Sequence, residues 1–206
     1  MEPSNEFNDE LMDDDEAVSS SPFTPAPLPQ LTNEAQTITD SCLSLSIPLL
    51  RAIHACVPRA PAISLSIGSG TGLVEALLQS LPDQPYPINL VSVEVAPSPN
   101  KYHAPHRTVP GTWALDPLAS EAGAWLFVYP KQVALVKEYM AALFDNDGGG
   151  SPETVIYIGP RMDWDDFKGA FERPGVGTIE LWSEERMEEV GGRAWECVAV
   201  MRRASG

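Results

Sequence analysis

Apolar and polar positions along this chain fall into short blocks of two kinds. One is a nearly unbroken apolar run, as in AISLSIG, INLVSVEVAP, GAWLFVYP and TVIYIGP, which predicts a strand buried on both faces. The other repeats its apolar residues at helical spacing. In LVEALLQSL, residues Leu73, Val74, Leu77, Leu78 and Leu81 share one face, and QVALVKEYMAALF reads as a longer helix stopped by DNDGGGSP. RTVPGTWAL leaves room for a short strand, MDWDDFKGAF for a short helix capped by Asp163, and GTIELW and AWECVAVMRR for two last strands. Nearer the start, SCLSLSIPLLRAIHACV places Leu43, Ile47, Leu50, Ile53 and Val57 near helical spacing, with Asp40 or Ser41 as N-cap and Pro48 kinking the helix or delaying its start.

Strands and helices alternate through most of this order. That predicts an α/β fold, a three-layer doubly wound, mostly parallel seven-stranded sheet. The last two strands are joined by SEERMEEVGGR, which reads as charged and turn-like and is too short for a parallel crossover, so the final strand is expected to be antiparallel.

Charge changes the picture at one end. Of a net charge of −16, residues 1–40 carry −10, with ten acids and no Lys or Arg. NDELMDDDEA and SSSPFTPAPLPQ lack periodic apolar surface, so residues 1–40 are expected to be a disordered acidic tail and 41–206 a single domain. The tail is either solvated or an arm that docks a protein partner through Phe7, Leu11 and Met12. Such an acidic chain is repelled by phosphate backbones and anionic lipid, so DNA, large RNA and membranes are not expected partners. With no basic and apolar leader at the N-terminus, the expected location is the cytoplasm or nucleus. Cys42, Cys56 and Cys197 are odd in number and widely spaced, which fits reduced thiols.

The candidate chemistry centres on IGSGTG. Glycine weakens both strand and helix, yet Gly68, Gly70 and Gly72 stand at alternate positions between one of each. One glycine would satisfy a tight turn; three let backbone approach a ligand at the point where the strand order of an open sheet reverses. A dinucleotide fingerprint needs glycine at position 73, which is Leu73. Glu94 ends the second strand, where a carboxylate accepts hydrogen bonds from a ribose diol. The combination points to a nucleoside without a pyrophosphate.

LSIGSGTG, VSVEV and the terminal strand pair together resemble the class I, Rossmann-like S-adenosylmethionine-dependent methyltransferases, over about Ile63 to Arg203. The resemblance implies S-adenosylmethionine as cofactor, with Gly68, Ser69 and Gly70 passing under its methionine and ribose, Gly72 completing the turn, and Glu94 on the ribose hydroxyls. It also places Thr112, in GTWAL, opposite the adenine amino group, with Trp113 or Val95 stacking on the base. Three departures stand out: Ser66 occupies a position where the family carries an acid, Thr112 replaces a frequent aspartate, and VYPK replaces the Asn/Asp-Pro-Pro-aromatic motif of amino-methylating members.

Candidate bases are Tyr129, at the end of the fourth strand, which could equally be an aromatic packed on the next helix, and His106 in NKYHAPHR, which reads more simply as part of a solvated loop. His103 and His106 have no further ligand at a suitable interval, so no metal is expected. Arg161 could bind an acidic acceptor or form a surface salt bridge. Three readings follow: a methyltransferase acting on a small molecule or a protein side chain, a catalytically inactive domain of this fold serving as a binding or regulatory module, and a nucleotide-dependent oxidoreductase, for which Leu73 is the wrong residue.

Overall fold

The computed structural model describes residues 23–145, 152–173 and 175–204. The acidic run with Phe7, Leu11 and Met12, and residues 146–151 of the helix stop, lie outside the described residues. Seven strands form one sheet: β1 Ile63–Ile67, β2 Asn89–Val95, β3 His106–Val109, β4 Ala124–Val128, β5 Thr154–Pro160, β6 Val176–Leu181 and β7 Glu196–Arg203. Their order is β3-β2-β1-β4-β5-β7-β6, and β7 runs antiparallel to both neighbours. The expected sheet is therefore present, antiparallel last strand included. β1 pairs with β2 on one side and β4 on the other, so the strand order reverses beside the turn that follows β1.

Alternation along the strands supplies both helical layers with apolar surface. Leu65, Ile67, Trp125, Phe127, Val155 and Tyr157 face α3 (Val133–Asp145) and α4 (Trp164–Phe171). Leu126, Ile156, Ile158, Val198 and Val200 face α1 (Ile47–His54), α2 (Leu73–Gln79) and α5 (Glu184–Glu189). β1 contributes little to that second face: its residues there are Ser64 and Ser66, both fully buried.

The expected elements shift in three places. α1 starts at Ile47, with the Ser46 hydroxyl accepting from the Leu49 amide and Pro48 in the first turn, where its missing N–H is harmless. Leu43 and Leu45 are buried from extended chain instead; Leu45 bridges to Gln36. The segment read as a turn between the last strands contains α5, capped by Ser183; one buried side chain, Met187, holds its six residues, and the charges around it hide the helix from a periodicity argument. Asp163 does sit at the N-cap of α4, without a side-chain capping bond.

The third shift concerns the N-terminal segment. Residues 23–40, expected to belong to a free tail, lie along the domain. Leu28, Leu31 and Ile38 pack against the core, and the backbone pairs with it through Ala26 N to Lys101 O (2.8 Å) and Ile47 N to Thr32 O (2.9 Å). Its Pro and Thr content gives no period to read, because an irregular strap is held by individual backbone bonds instead of a repeating apolar face.

Candidate functional site

At the reversal of strand order the chain turns through Gly68, Gly70 and Gly72, with φ of 73°, 57° and 77°. All three lie in the left-handed region, which strains any residue with a side chain. Their surroundings differ. A Cβ on Gly72 would collide with Asn100 and come within 2.9 Å of His103 Cβ, so that glycine admits the 100–103 loop. A Cβ on Gly70 would meet nothing within 4 Å: it would stand in open space.

That space is a cavity of about 640 Å³, well suited to a small ligand. The glycine turn is its floor, the end of β2 one wall, Thr112 and Val109 lie toward the far end, and Val128 to Gln132 form the opposite wall. The strap residues Thr39 to Cys42 close one side. They are fixed there by Asp40, whose carboxylate accepts from Tyr102 Oη (2.7 Å) and Lys101 Nζ (2.9 Å) and whose carbonyl accepts from Thr71 Oγ1 (2.7 Å). The Tyr102 hydrogen bond, then Lys101, hold the Asp40 carboxyl below its usual range.

Two further carboxylates line the cavity. Glu94 Oε2 accepts from the Gly70 amide at 2.7 Å and Oε1 from its own neighbour, Val95 N, at 2.8 Å. The acid at the end of β2 is thereby tied directly to the glycine turn. Glu75, in the first turn of α2, is 1% exposed, and its Oε1 accepts from Ser66 Oγ at 2.6 Å. Its Oε2 has no hydrogen-bond partner among the described residues. Burial pushes this carboxyl up to about 7 against the hydrogen bonds from Ser66 and from its own backbone N–H, and the Glu94 charge adds to the rise. Against Asp40, Glu75 and Glu94 the cavity wall presents a single lysine, Lys131.

The residues singled out from the sequence divide. Gly68, Ser69, Gly70, Glu94, Val95, Thr112 and Tyr129 line the cavity. Ser66 lies beneath it, bonded to Glu75, and Gly72 is spent on packing. Trp113 is 72% exposed, packs back on Gly111 and is not part of the wall. His106 also stands off the cavity, on the edge strand β3, where its Nδ1 pairs with Ser92 Oγ at 2.8 Å and burial lowers its pKa. His103 is locked between Ser92 (2.9 Å) and Gln79 (2.7 Å), and burial, then repulsion from His106, lower it to about 4.

Tyr129 is placed on the cavity but is poorly suited to accept a proton. Its hydroxyl donates to Glu196 Oε1 at 2.7 Å, and burial, followed by that hydrogen bond, drives its pKa upward. Glu196 Oε1 accepts from Ser44 N as well, at 2.8 Å. Arg161 donates to the carbonyls of Ala194, Trp182 and Glu196, so it organises the β6–β7 end instead of waiting for an acceptor.

Sequence reasoning missed Glu75 and the backbone bonds that hold residues 23–40 along the domain. The available signal for Glu75 was a charge inside LVEALLQ, a segment otherwise apolar up to its final glutamine, nine residues after a serine standing in an acid's place.

No protein-family model matches the chain, and no curated relative does. Solved structures match closely in architecture. The methyltransferase domain of bacterial CtHen1-C aligns at TM-score 0.53 and 13% identity, covering 77% of this chain and 98% of that one. A TehB-like SAM-dependent methyltransferase from Corynebacterium glutamicum aligns at 0.50 and 14%, covering 76% and 88%. The chain has the class I methyltransferase fold. A third match, the small RNA methyltransferase HEN1, aligns at 0.51 and 12% identity and shares the fold over 24% of its own length. Among the described residues no helix is long and apolar enough to cross a membrane.

Proposed function

We propose that this methyltransferase-fold chain binds S-adenosylmethionine in the cavity above the glycine turn and transfers its methyl group to a small molecule or a protein side chain. The observation that carries the reading is the bond from Gly70 N to Glu94: turn and strand end are held together as one cradle, with open space above Gly70. Glu94 would take the ribose hydroxyls, with Val95 and Thr112 toward the base and Gly68 and Ser69 under the methionyl portion. Trp113 is no longer needed as a stacking partner. With Asp40 balanced by Lys101, Glu75 and Glu94 against Lys131 suit a ligand that carries a sulfonium and an ammonium.

The same wall argues against an oxidoreductase. A pyrophosphate over this turn would meet Glu75 and Glu94, so nicotinamide dinucleotides are disfavoured by charge as well as by Leu73.

When bound, the cofactor supplies a methyl group already activated by its sulfonium. The protein's part is then to orient both partners and exclude water. The strap fixed by Asp40 and the Val128–Gln132 wall do this on the acceptor side. A base is required only if the acceptor is protonated at working pH.

A second reading, a cofactor-binding module without turnover, rests on the acceptor side itself, where Tyr129, Glu196 and Arg161 are engaged with one another and with backbone. Isothermal titration with S-adenosylmethionine, S-adenosylhomocysteine and NADH tests the first claim: binding of the first two and not the third is expected. Turnover against a panel of small molecules, peptides and short RNAs then separates enzyme from module. The net charge of −16 leads us to expect no methylation of the RNAs.

A further inference from the structure

Glu75 is the polar group for which the fold itself gives least reason. A carboxylate held at 1% exposure with one oxygen unpartnered opposes folding, and α2 would pack as well with an apolar residue there. Yet Ser66, fully buried on β1, is arranged to hold it by a 2.6 Å hydrogen bond, and Glu75 contributes to the wall of the cavity. A buried, oriented carboxylate with a vacant acceptor oxygen matches a cationic hydrogen-bond donor.

Resting on the reading of the cavity as an S-adenosylmethionine site, we infer that Glu75, positioned by Ser66, is the anionic subsite for the α-ammonium of the cofactor's methionyl end. The Glu94 carboxylate accepts from Gly70 and Val95, and that of Asp40 from Tyr102 and Lys101. That leaves Glu75 Oε2, buried within the cavity wall, as the carboxylate oxygen of the three without a hydrogen-bond partner among the described residues. A positive ligand there also relieves the charge burden that Glu94 places on Glu75. Ammonium binding therefore favours the ionised carboxyl, and complex formation near neutrality releases a proton.

The other ionisable groups around it do not mimic this signal in the same range. Asp40, on the strap, is held low, and the Tyr129 phenol is raised. His54 of α1 and His103 beside Gly72 are both lowered by burial. Cys42, Glu94 and Lys131 complete the ionisable wall, and the control for all of them is the variant itself.

The test compares wild type with Glu75→Gln, which keeps size and an oxygen for Ser66, against S-adenosylhomocysteine and 5′-methylthioadenosine. The second probe has the same nucleoside and thioether but no amino-acid end. Glu75→Gln should weaken S-adenosylhomocysteine by about tenfold or more while leaving 5′-methylthioadenosine within about twofold. Titrations at pH 7 in buffers of different ionisation enthalpy should show wild type releasing roughly half a proton on binding S-adenosylhomocysteine, and the variant none. Unchanged affinity, equal loss for both probes, or no wild-type proton release overturns the assignment of Glu75 and leaves the cofactor site standing. Should wild type bind neither probe, the reading of the cavity falls and this inference with it. If Glu75→Gln does not fold, Ser66→Ala, which removes the bond that positions the carboxylate, replaces it with the same two probes: selective weakening of S-adenosylhomocysteine is expected, and equal or no loss for both overturns the assignment.

Discussion

Beyond β1 and β2 a bonded pair, the Gly70 amide and Glu94, lines a cavity with open space above Gly70, and Glu75, buried in the same wall, keeps one oxygen without a hydrogen-bond partner among the described residues. Beyond β4 and β5 the polar groups are bonded to each other, Tyr129 to Glu196, Glu196 to Ser44, and Arg161 to three carbonyls; Glu196 Oε2, like Glu75 Oε2, lacks a partner among the described residues, but Glu196 is not part of the cavity wall. The first half of the edge is built to receive something, while the second is built to hold still. The difference locates chemistry. On the proposed reading the ligand is recognised over β1 and β2, and among the described residues the groups beyond β4 and β5 contribute placement, because Tyr129 and Arg161 are already engaged.

The largest break in that contrast comes from filling the cradle. Gly70→Val places a branched side chain at a φ of 57°, in the space where a Cβ meets nothing within 4 Å. Backbone strain of about 1–2 kcal/mol is expected to lower stability modestly. Binding of S-adenosylhomocysteine should be lost altogether, at least about a hundredfold by titration. A variant that binds normally would show that the ligand lies elsewhere. Next in size, Glu94→Ala removes the acceptor bonded to Gly70 N and should weaken the same ligand by about 1–3 kcal/mol. Unaltered affinity would take Glu94 out of the site.

Glu75 tests the receiving half through stability. Its carboxyl titrates near 4.5 when unfolded and about 7 when native, so between those values the native state keeps a proton that the unfolded state has released. Rising pH through that window therefore favours unfolding, and the full penalty is present above about 7. In Glu75→Gln, urea unfolding at pH 8 should show a gain of about 1–3 kcal/mol, less than the whole shift because the amide brings an unpaired N–H. Near pH 4.5 the gain should vanish. His103 runs the other way: native about 4 against 6.5 unfolded, it stabilises more as pH rises through that interval. The two slopes oppose each other in wild type, and removing Glu75 should expose a stability that climbs from pH 4.5 to 6.5. A gain independent of pH would mean that the Glu75 carboxyl is not raised.

What was legible in the sequence follows the same division. Ile63–Ile67, Asn89–Val95 and the three glycines could be read because a buried strand needs an apolar run and a left-handed turn needs glycine, both of which are local requirements. Glu94 was legible from its place at a strand end. Residues 23–40 were not, since their order comes from single backbone bonds to residues far along the chain, such as Ala26 to Lys101. Glu75 escaped for a related reason: in LVEALLQ it reads as one turn's exposed charge, and only the fold puts Ser66 beneath it. The histidines of NKYHAPHR looked reactive, but the structure fixes His103 between Ser92 and Gln79 and leaves His106 off the cavity.

The smallest expected effect decides what the still half does. Tyr129 takes a φ of 51° without being glycine, so its backbone is strained, and its hydroxyl ends on Glu196. If the residue is there to hold the Val128–Gln132 wall, Tyr129→Phe removes one hydrogen bond to a carboxylate that still accepts from Ser44 N at 2.8 Å. Stability should then fall by about 1 kcal/mol, with S-adenosylhomocysteine affinity unchanged. Once an acceptor is found, kcat should fall no more than a few fold and keep its pH profile, because a phenol whose pKa is raised by burial and by Glu196 does not serve as base at neutral pH. A fall of a thousandfold at full stability and affinity would reverse the comparison and make this half of the edge the reactive one.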